Sequence, residues 1–329
     1  MLRLLATFAL LLSMTVESLA QPPAPAKKPV VFAAYATPLE EPWNMVIHGA
    51  LQHEEKLGRI SYSWQDNLGS PDAMTSGLQA GLGRRPDLVF ADGADSLDAI
   101  KAVAASNPGI AFVVGTSAGP VPPNLSVFDS NLSEPAYLCG VIAGKLTKTG
   151  IVGVVAGRSD TQVHRAINAY IRGVKDTNSA AKVKVTFIES WYDPPKAKQA
   201  ALAQIEAGAD LIWAEREGAI AAAREKGVLA FGNLVDQTGE GPDAVITGPV
   251  WSMVPLVDHA VSMAAAGMIS GESYLDFSSL ARGGAVLAPW HGWSEKLPPD
   301  LLELIRDKQH DIKIGELVIN PTADRPVSE

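Results

Sequence analysis

The chain has 329 residues, with 27 Lys and Arg against 36 Asp and Glu for a net charge of -9, 47% hydrophobic residues and a single cysteine. That length is enough for two domains, each with a full core. The acidic balance argues against a nucleic-acid binder, which needs a basic face, and one thiol cannot build a disulfide framework.

The N-terminus reads Met1-Leu2-Arg3, then an apolar run from Leu4 to Met14, then Ser18-Leu19-Ala20. A positive start, a short apolar stretch and a small-x-small site are the pattern of a signal peptide. Residues 1–20 are therefore expected to be removed, leaving an exported chain that begins at Gln21. The apolar run is shorter than the ~20 residues that cross a bilayer. With no cysteine at the cleavage site, no lipid anchor is expected there. Residues 21–28, rich in Pro and Ala, read as a flexible lead-in.

From residue 30 onward, short β-type runs alternate with longer helical patterns. Strands are expected at 30–35, 60–64, 87–91 and 110–114, with helices at 43–57, 71–82 and 96–105 between them. The pattern then restarts, with helices at 134–146, 162–177, 194–207 and 220–226 and strands at 151–155, 183–189, 210–213 and 228–231. A further strand at 243–247, a long helix at 250–268, a strand at 285–287 and a helix at 299–309 complete the chain. Such alternation is the signature of βαβ units and parallel sheets. Segments 78–92 and 203–215 share one design, a helix, a sharp turn and a buried strand ending in an acid. The fold class expected is thus α/β, with two doubly wound parallel-sheet lobes. The residues left after the second sheet return to the first lobe, so hinge strands join the two in a clamshell. The lobes are expected at 29–130 plus about 249–284, and at 131–248 plus about 285–329.

Three signals are set aside on chemical grounds. Gly115-Thr116-Ser117-Ala118-Gly119 fits a nucleophile elbow, but that motif needs a helix after it, and Pro120-Val121-Pro122-Pro123 forbids one. Cys139, within an apolar small-residue helix, reads as a buried hydrophobe, not a reactive thiol. His48 and His53 are five apart, off a shared helix face, and no phosphate-cradling Gly-rich loop or helix-turn-helix is present. No enzyme activity, cofactor, metal or nucleic-acid partner is therefore expected.

Open parallel sheets bind ligands beyond the carboxyl ends of their strands. Those ends carry 35–44, Asp66-Asn67 and Asp92-Gly93 in the first lobe, and 157–160, Ser190-Trp191-Tyr192-Asp193, 213–217 and 233–236 in the second. Aromatic residues are only 6% of the chain, yet these loops collect Trp43, Trp191 and Trp213 beside Asn44, Asp66, Asp92, Asp193, Glu215 and Asp236. Flat rings stack on planar ligands, and carboxylates and amides read ring edges. Each has a plainer role: Trp43 as a helix staple, Asp193 as the cap of the helix from Pro194, Trp213 as core, and Trp251 as packing for the long helix.

Residues 36–48 (ATPLEEPWNMVIH), 151–173 (IVGVVAGRSDTQVHRAINAYIRG), 189–210 (ESWYDPPKAKQAALAQIEAGAD), 227–232 and 246–253 together resemble the BMP family, the basic membrane protein or PnrA-like substrate-binding proteins of ABC transporters. The resemblance covers nearly the whole mature chain, and SWYDPPKAKQAA…GAD is its most specific part. It implies a type I periplasmic-binding-protein fold, a periplasmic location, an inner-membrane ABC permease as partner and a purine base or nucleoside as ligand. By position it makes Trp43 and Trp191 the aromatic pair around the ring, with Asn44, Asp92 and Asp236 at its edge. Two departures stand out. The Asp-rich start of nucleoside-binding members is replaced by Thr37-Pro38-Leu39-Glu40-Glu41-Pro42, and the late basic residue has no clear equal near Ala281-Arg282-Gly283-Gly284. A free base or a related planar heterocycle is then as much expected as a nucleoside, bound by a monomer. A sugar or other small solute, or a role as the ligand-sensing subunit of a membrane receptor, are the alternatives.

Overall fold

The computed structural model describes residues 27–93 and 95–329; the expected signal peptide, and the lead-in up to Ala26, lie outside the described residues. Two five-stranded parallel sheets form the framework. The first contains β1 (Val30–Ala34), β2 (Ser61–Gln65), β3 (Leu88–Asp92), β4 (Ala111–Gly115) and β5 (Leu125–Phe128), in the order β2-β1-β3-β4-β5. The second contains β6 (Ile151–Ala156), β7 (Lys182–Phe187), β8 (Leu211–Ala214), β9 (Leu229–Phe231) and β10 (Val245–Thr247), in the order β10-β9-β8-β6-β7. Both sheets follow one plan: the first strand lies inside, the second flanks it, and the third starts growth in the opposite direction. The doubled design read from 78–92 and 203–215 is this repetition.

Alternation along each strand feeds two helical layers. In β1, Val31 and Ala33 pack with α1 (Pro42–Lys56) and α8 (Val254–Ala265), while Phe32 and Ala34 pack with α2 (Pro71–Leu82) and α3 (Leu97–Ala105). In the second sheet, Val152, Val154 and Trp213 face α4 (Ser133–Leu146), α5 (Thr161–Thr177) and α9 (Pro299–Ile314). Val155, Ile212 and Ala214 face α6 (Pro194–Glu206) and α7 (Ala219–Lys226). Helix starts are set locally. Glu41, Ser70 and Asp193 each accept a backbone N–H of the first turn, and a proline follows each of them. Proline there loses no hydrogen bond and pre-sets the backbone.

Chain crosses between the two cores at 129–132, near Gly248 and near Ala288. A short antiparallel pair, β11 (Pro249–Trp251) with β12 (Ala285–Leu287), marks the last two crossings. Trp251 and Ala285 belong to the first core, while Val286 and Leu287 pack against the second.

Three sequence expectations are corrected. The long helix at 250–268 is a strand followed by a shorter helix, because Pro255 takes an N-terminal position of α8 and Trp251 N–H donates to Leu234 O at 2.9 Å. Strand β5 was not anticipated: its four residues follow a proline-rich loop and are too few to show periodicity, yet all are buried. The last helix runs on to Ile314, whose neighbour Ile312 is buried, and stops at Gly315 with φ 79°. Cys139 is fully buried on α4, and burial pushes its thiol pKa well up.

Helices α4 and α5 approach through glycines. A Cβ on Gly140 would stand 2.0 Å from Tyr170 O, and one on Gly173 would stand 2.1 Å from Tyr137 O. Both obstacles are backbone, so the helices must separate to admit even a methyl group. Gly140→Ala is expected to destabilise the fold by ~1–3 kcal/mol or more, read as a lower urea midpoint; an unchanged midpoint would refute this account of the contact.

Candidate ligand-binding site

Strand order reverses at β1/β3 in the first sheet and at β6/β8 in the second. Loops leaving neighbouring strands diverge there and open a crevice at the carboxyl edge. The two crevices form one cavity of about 380 Å³, within the ~300–1,000 Å³ usual for small-molecule sites. From the first lobe come Thr37, Glu41 and Trp43 after β1 and Asp92 and Asp95 after β3; from the second come Arg158 and Asp160 after β6, Trp191 after β7, and Trp213, Glu215 and Arg216 at β8.

Of the residues singled out from sequence, the structure brings Trp43, Asp92, Trp191, Trp213 and Glu215 together in the cavity lining. The other four stand elsewhere. Asn44 is fully buried and its amide donates to Thr37 O, Thr37 Oγ1 and Pro38 O at 2.8–3.1 Å, tying down the loop that carries Glu41. Asp66 accepts Leu39 N–H at 3.3 Å in the same loop. Asp193 caps α6, accepting Lys196 N–H at 3.1 Å. Asp236 pairs with His291 at 2.7 Å and accepts from Thr238. Each of the four lies in a segment that follows a strand, but its side chain shapes a loop or a helix start: Asn44 as a donor and the three aspartates as acceptors.

Trp43 is held from behind, with its ring 4.6 Å from Trp251 and 6.0 Å, nearly parallel, from Phe128. Trp191 lies under two guanidiniums, Arg216 at 5.1 Å and Arg158 at 5.9 Å from its ring centre. Trp213 closes β8 against Tyr170 at 5.2 Å. The indole nitrogens of all three are buried without a hydrogen-bond partner.

Arg216 is the centre of the site's charge and was not singled out from sequence. It is 5% exposed, with Nη2 3.3 Å from Glu215 Oε1 and Nη1 3.9 Å from Glu41 Oε1. Glu215 also accepts Gly157 N–H at 2.9 Å and the Asn233 amide at 3.4 Å. Burial dominates the acids: it pushes Glu41 and Glu215 up to about 7, with Arg216 pulling the other way. Asp129, in the crossing after β5, is pushed up to about 6 by burial against the pull of Arg165, which bonds it at 2.9 Å. The cleft is spanned by the buried Arg216–Glu41 approach and by an exposed Arg158–Asp95 pair at 2.8 Å. Gln162 also donates to Ser130, joining α5 to the crossing segment. Ser117 lines the cavity as well, but no helix follows it, so the elbow geometry is absent, as Pro120 requires. Among the described residues no cluster of His, Cys, Asp and Glu is arranged to hold a metal ion.

Comparison with known proteins matches this architecture. A family model described as "ABC transporter substrate-binding protein PnrA-like" matches residues 44–278. A Brucella abortus protein named as a purine-binding protein is 27% identical over 313 residues, covering 83% of this chain and 86% of that one. A Haloferax volcanii protein, provisionally named an ABC transporter glucose-binding protein, is 31% identical over 167 residues, 50% of this chain and 42% of that one. An ABC transporter solute-binding protein from Conexibacter woesei superposes with a TM-score of 0.71 at 22% identity, covering 89% of this chain and 99% of that structure.

Proposed function

The chain belongs to the PnrA-like family of ABC transporter substrate-binding proteins, and from that premise we propose that it binds a purine base or nucleoside in the cleft and delivers it to an inner-membrane permease. The observation that carries this reading is the cavity lining: Trp43 from one lobe and Trp191 from the other, with buried polar groups around them and the fully buried Trp213 in the floor. Stacking on such rings contributes ~1–3 kcal/mol per base, and the polar groups fix orientation. The purine-binding name of the relative that matches most of both chains agrees with it. The ligand is taken up by the open form in the periplasm and buried as the lobes, 29–130 with about 249–284 and 131–248 with about 285–329, rotate about their crossings. Arg158–Asp95 and Arg216–Glu41 then bridge the lobes, and the closed monomer presents to the permease a surface the open form lacks.

The lining carries six carboxylates, Glu41, Asp92, Asp95, Asp129, Asp160 and Glu215, against the guanidiniums of Arg158 and Arg216. A phosphate brought among them meets like charge, which costs several kcal/mol. Purine bases or nucleosides are thus expected to bind, and the matching 5′-monophosphates to bind at least ~100-fold more weakly. Quenching of tryptophan fluorescence on titration checks both. No response to any purine at millimolar concentration would overturn the proposal, and a response to glucose or ribose alone would favour a sugar carrier. Trp191→Ala is expected to weaken purine binding ~10–100-fold with little loss of thermal stability, since the ring is half-buried.

A further inference from the structure

Hydrogen-bonding capacity in the floor of the cavity is unevenly spent. Glu215, the acid at the end of β8, uses both oxygens within the protein, Oε2 on Gly157 N–H and Oε1 on the Asn233 amide and Arg216. Arg216 does not use all of its donors: Nε and Nη1 are buried with no hydrogen-bond partner. Asn233 is 4% exposed, and its amide nitrogen donates to Glu215, which leaves Oδ1 buried and unpartnered. Both residues line the cavity and both touch Glu215, so they are neighbours. Buried polar groups left unpaired are costly, and here the unpaired set is a cationic donor beside a neutral acceptor.

Resting on the purine reading above, we propose that Arg216 and Asn233 select purines that carry an oxygen at C6 over those that carry an amino group. A 6-oxopurine presents, in order along one edge, N7 as acceptor, O6 as acceptor and N1–H as donor. A guanidinium complements the O6/N7 side, and the Asn233 Oδ1 accepts from N1–H. A 6-aminopurine presents a donor where Arg216 donates and, at N1, an acceptor where Oδ1 accepts, so two matched contacts become two mismatches. A site built to satisfy its own buried polar groups rejects such an analogue strongly. Gly157 seats the reader: a Cβ there would stand 2.3 Å from Arg216 Nε, so only glycine lets the guanidinium lie against that strand end.

The test is calorimetric titration of the wild-type protein with hypoxanthine, guanine, adenine and 1-methylhypoxanthine. Hypoxanthine and guanine are expected to bind ~10–100-fold more tightly than adenine. The 1-methyl compound, which lacks N1–H, is expected to lose much of hypoxanthine's advantage. In Asn233→Ala, hypoxanthine and 1-methylhypoxanthine are expected to bind alike, a pattern that a merely structural loss would not produce. Adenine binding as tightly as hypoxanthine overturns the 6-oxo selection and leaves the purine reading standing. If no base binds, the same contrast is read on inosine and adenosine, where equal binding overturns the 6-oxo selection; no binding of any of these bases or nucleosides overturns both.

Discussion

Arg216→Met is expected to be the most destabilising single change in the cleft, by ~3–5 kcal/mol at pH 8, the usual penalty when one partner of a buried ion pair is removed. The reason is the company Arg216 keeps. Glu41 and Glu215 are both more than nine-tenths buried, and their nearest cation is this guanidinium; Glu217 also feels it. Without it, two ionised carboxylates remain in a low-dielectric pocket and either unfold the lobe edge or take up protons. The cost therefore depends on pH. At pH 5, below the raised values of about 7 for Glu41 and Glu215, both acids are largely neutral and the arginine has little left to compensate. Urea midpoints of Arg216→Met and wild type should differ strongly at pH 8 and much less at pH 5. An equal loss at both pH values would mean that Arg216 acts through packing alone.

The second large effect is the pH dependence of stability in the wild-type protein, isolated by Glu41→Gln. Glu41 is raised from its ordinary value of 4.5 to about 7, chiefly by burial. A group whose pKa is higher in the folded state contributes stability that is full below the unfolded pKa and lost as pH rises through the folded one. For Glu41 that window runs from about 4.5 to about 7, with a slope of up to ~1.4 kcal/mol per pH unit. Glutamine keeps the carbonyl that accepts Asn44 N–H, and the 3.9 Å gap to Arg216 means that no hydrogen bond to the guanidinium is lost. Glu41→Gln should match wild type near pH 4.5 and be more stable by a few kcal/mol, ~2–4, at pH 8. If the two stability curves run parallel from pH 4.5 to 8, Glu41 does not change its protonation on folding and the electrostatic account of the cleft fails.

Much of this architecture is legible in the chain because each level repeats the same instruction. Buried runs such as Leu88–Asp92, proline-started helices and sharp turns at glycine announce βαβ units without any long-range knowledge. Pro71 and Leu82 bound their helix as the pattern of residues predicts. Elements too short for a period escape: β5 has four residues, and missing it hid Asp129 and Ser130, which line the cavity just beyond its end. At the site, the rule that ligands gather at strand ends selects loops that line the cavity but not which of their side chains line it. Within the loop after β1 it points to Asn44, whose amide nitrogen donates to Thr37 and Pro38, while Glu41, three residues earlier, lines the cavity. Within the β8 loop it points to Glu215 and passes over Arg216, because a lone arginine beside two acids reads locally as a surface ion pair. It is buried by contacts distant in sequence, against Gly157 and Trp191 and toward Glu41. Which acceptors are already spent depends on contacts across tens of residues, such as Gly157 with Glu215, and no local pattern encodes those.

The central claim, a purine carrier whose ligand lies between Trp43 and Trp191, is tested most directly by native mass spectrometry. The protein is unfolded, dialysed, refolded and offered an equimolar mixture of hypoxanthine, guanine, adenine, their nucleosides, glucose and ribose. A one-to-one adduct with the mass of a purine is expected, and its loss in Trp191→Ala. An adduct with the mass of a sugar, or a purine adduct undiminished by Trp191→Ala, would contradict it.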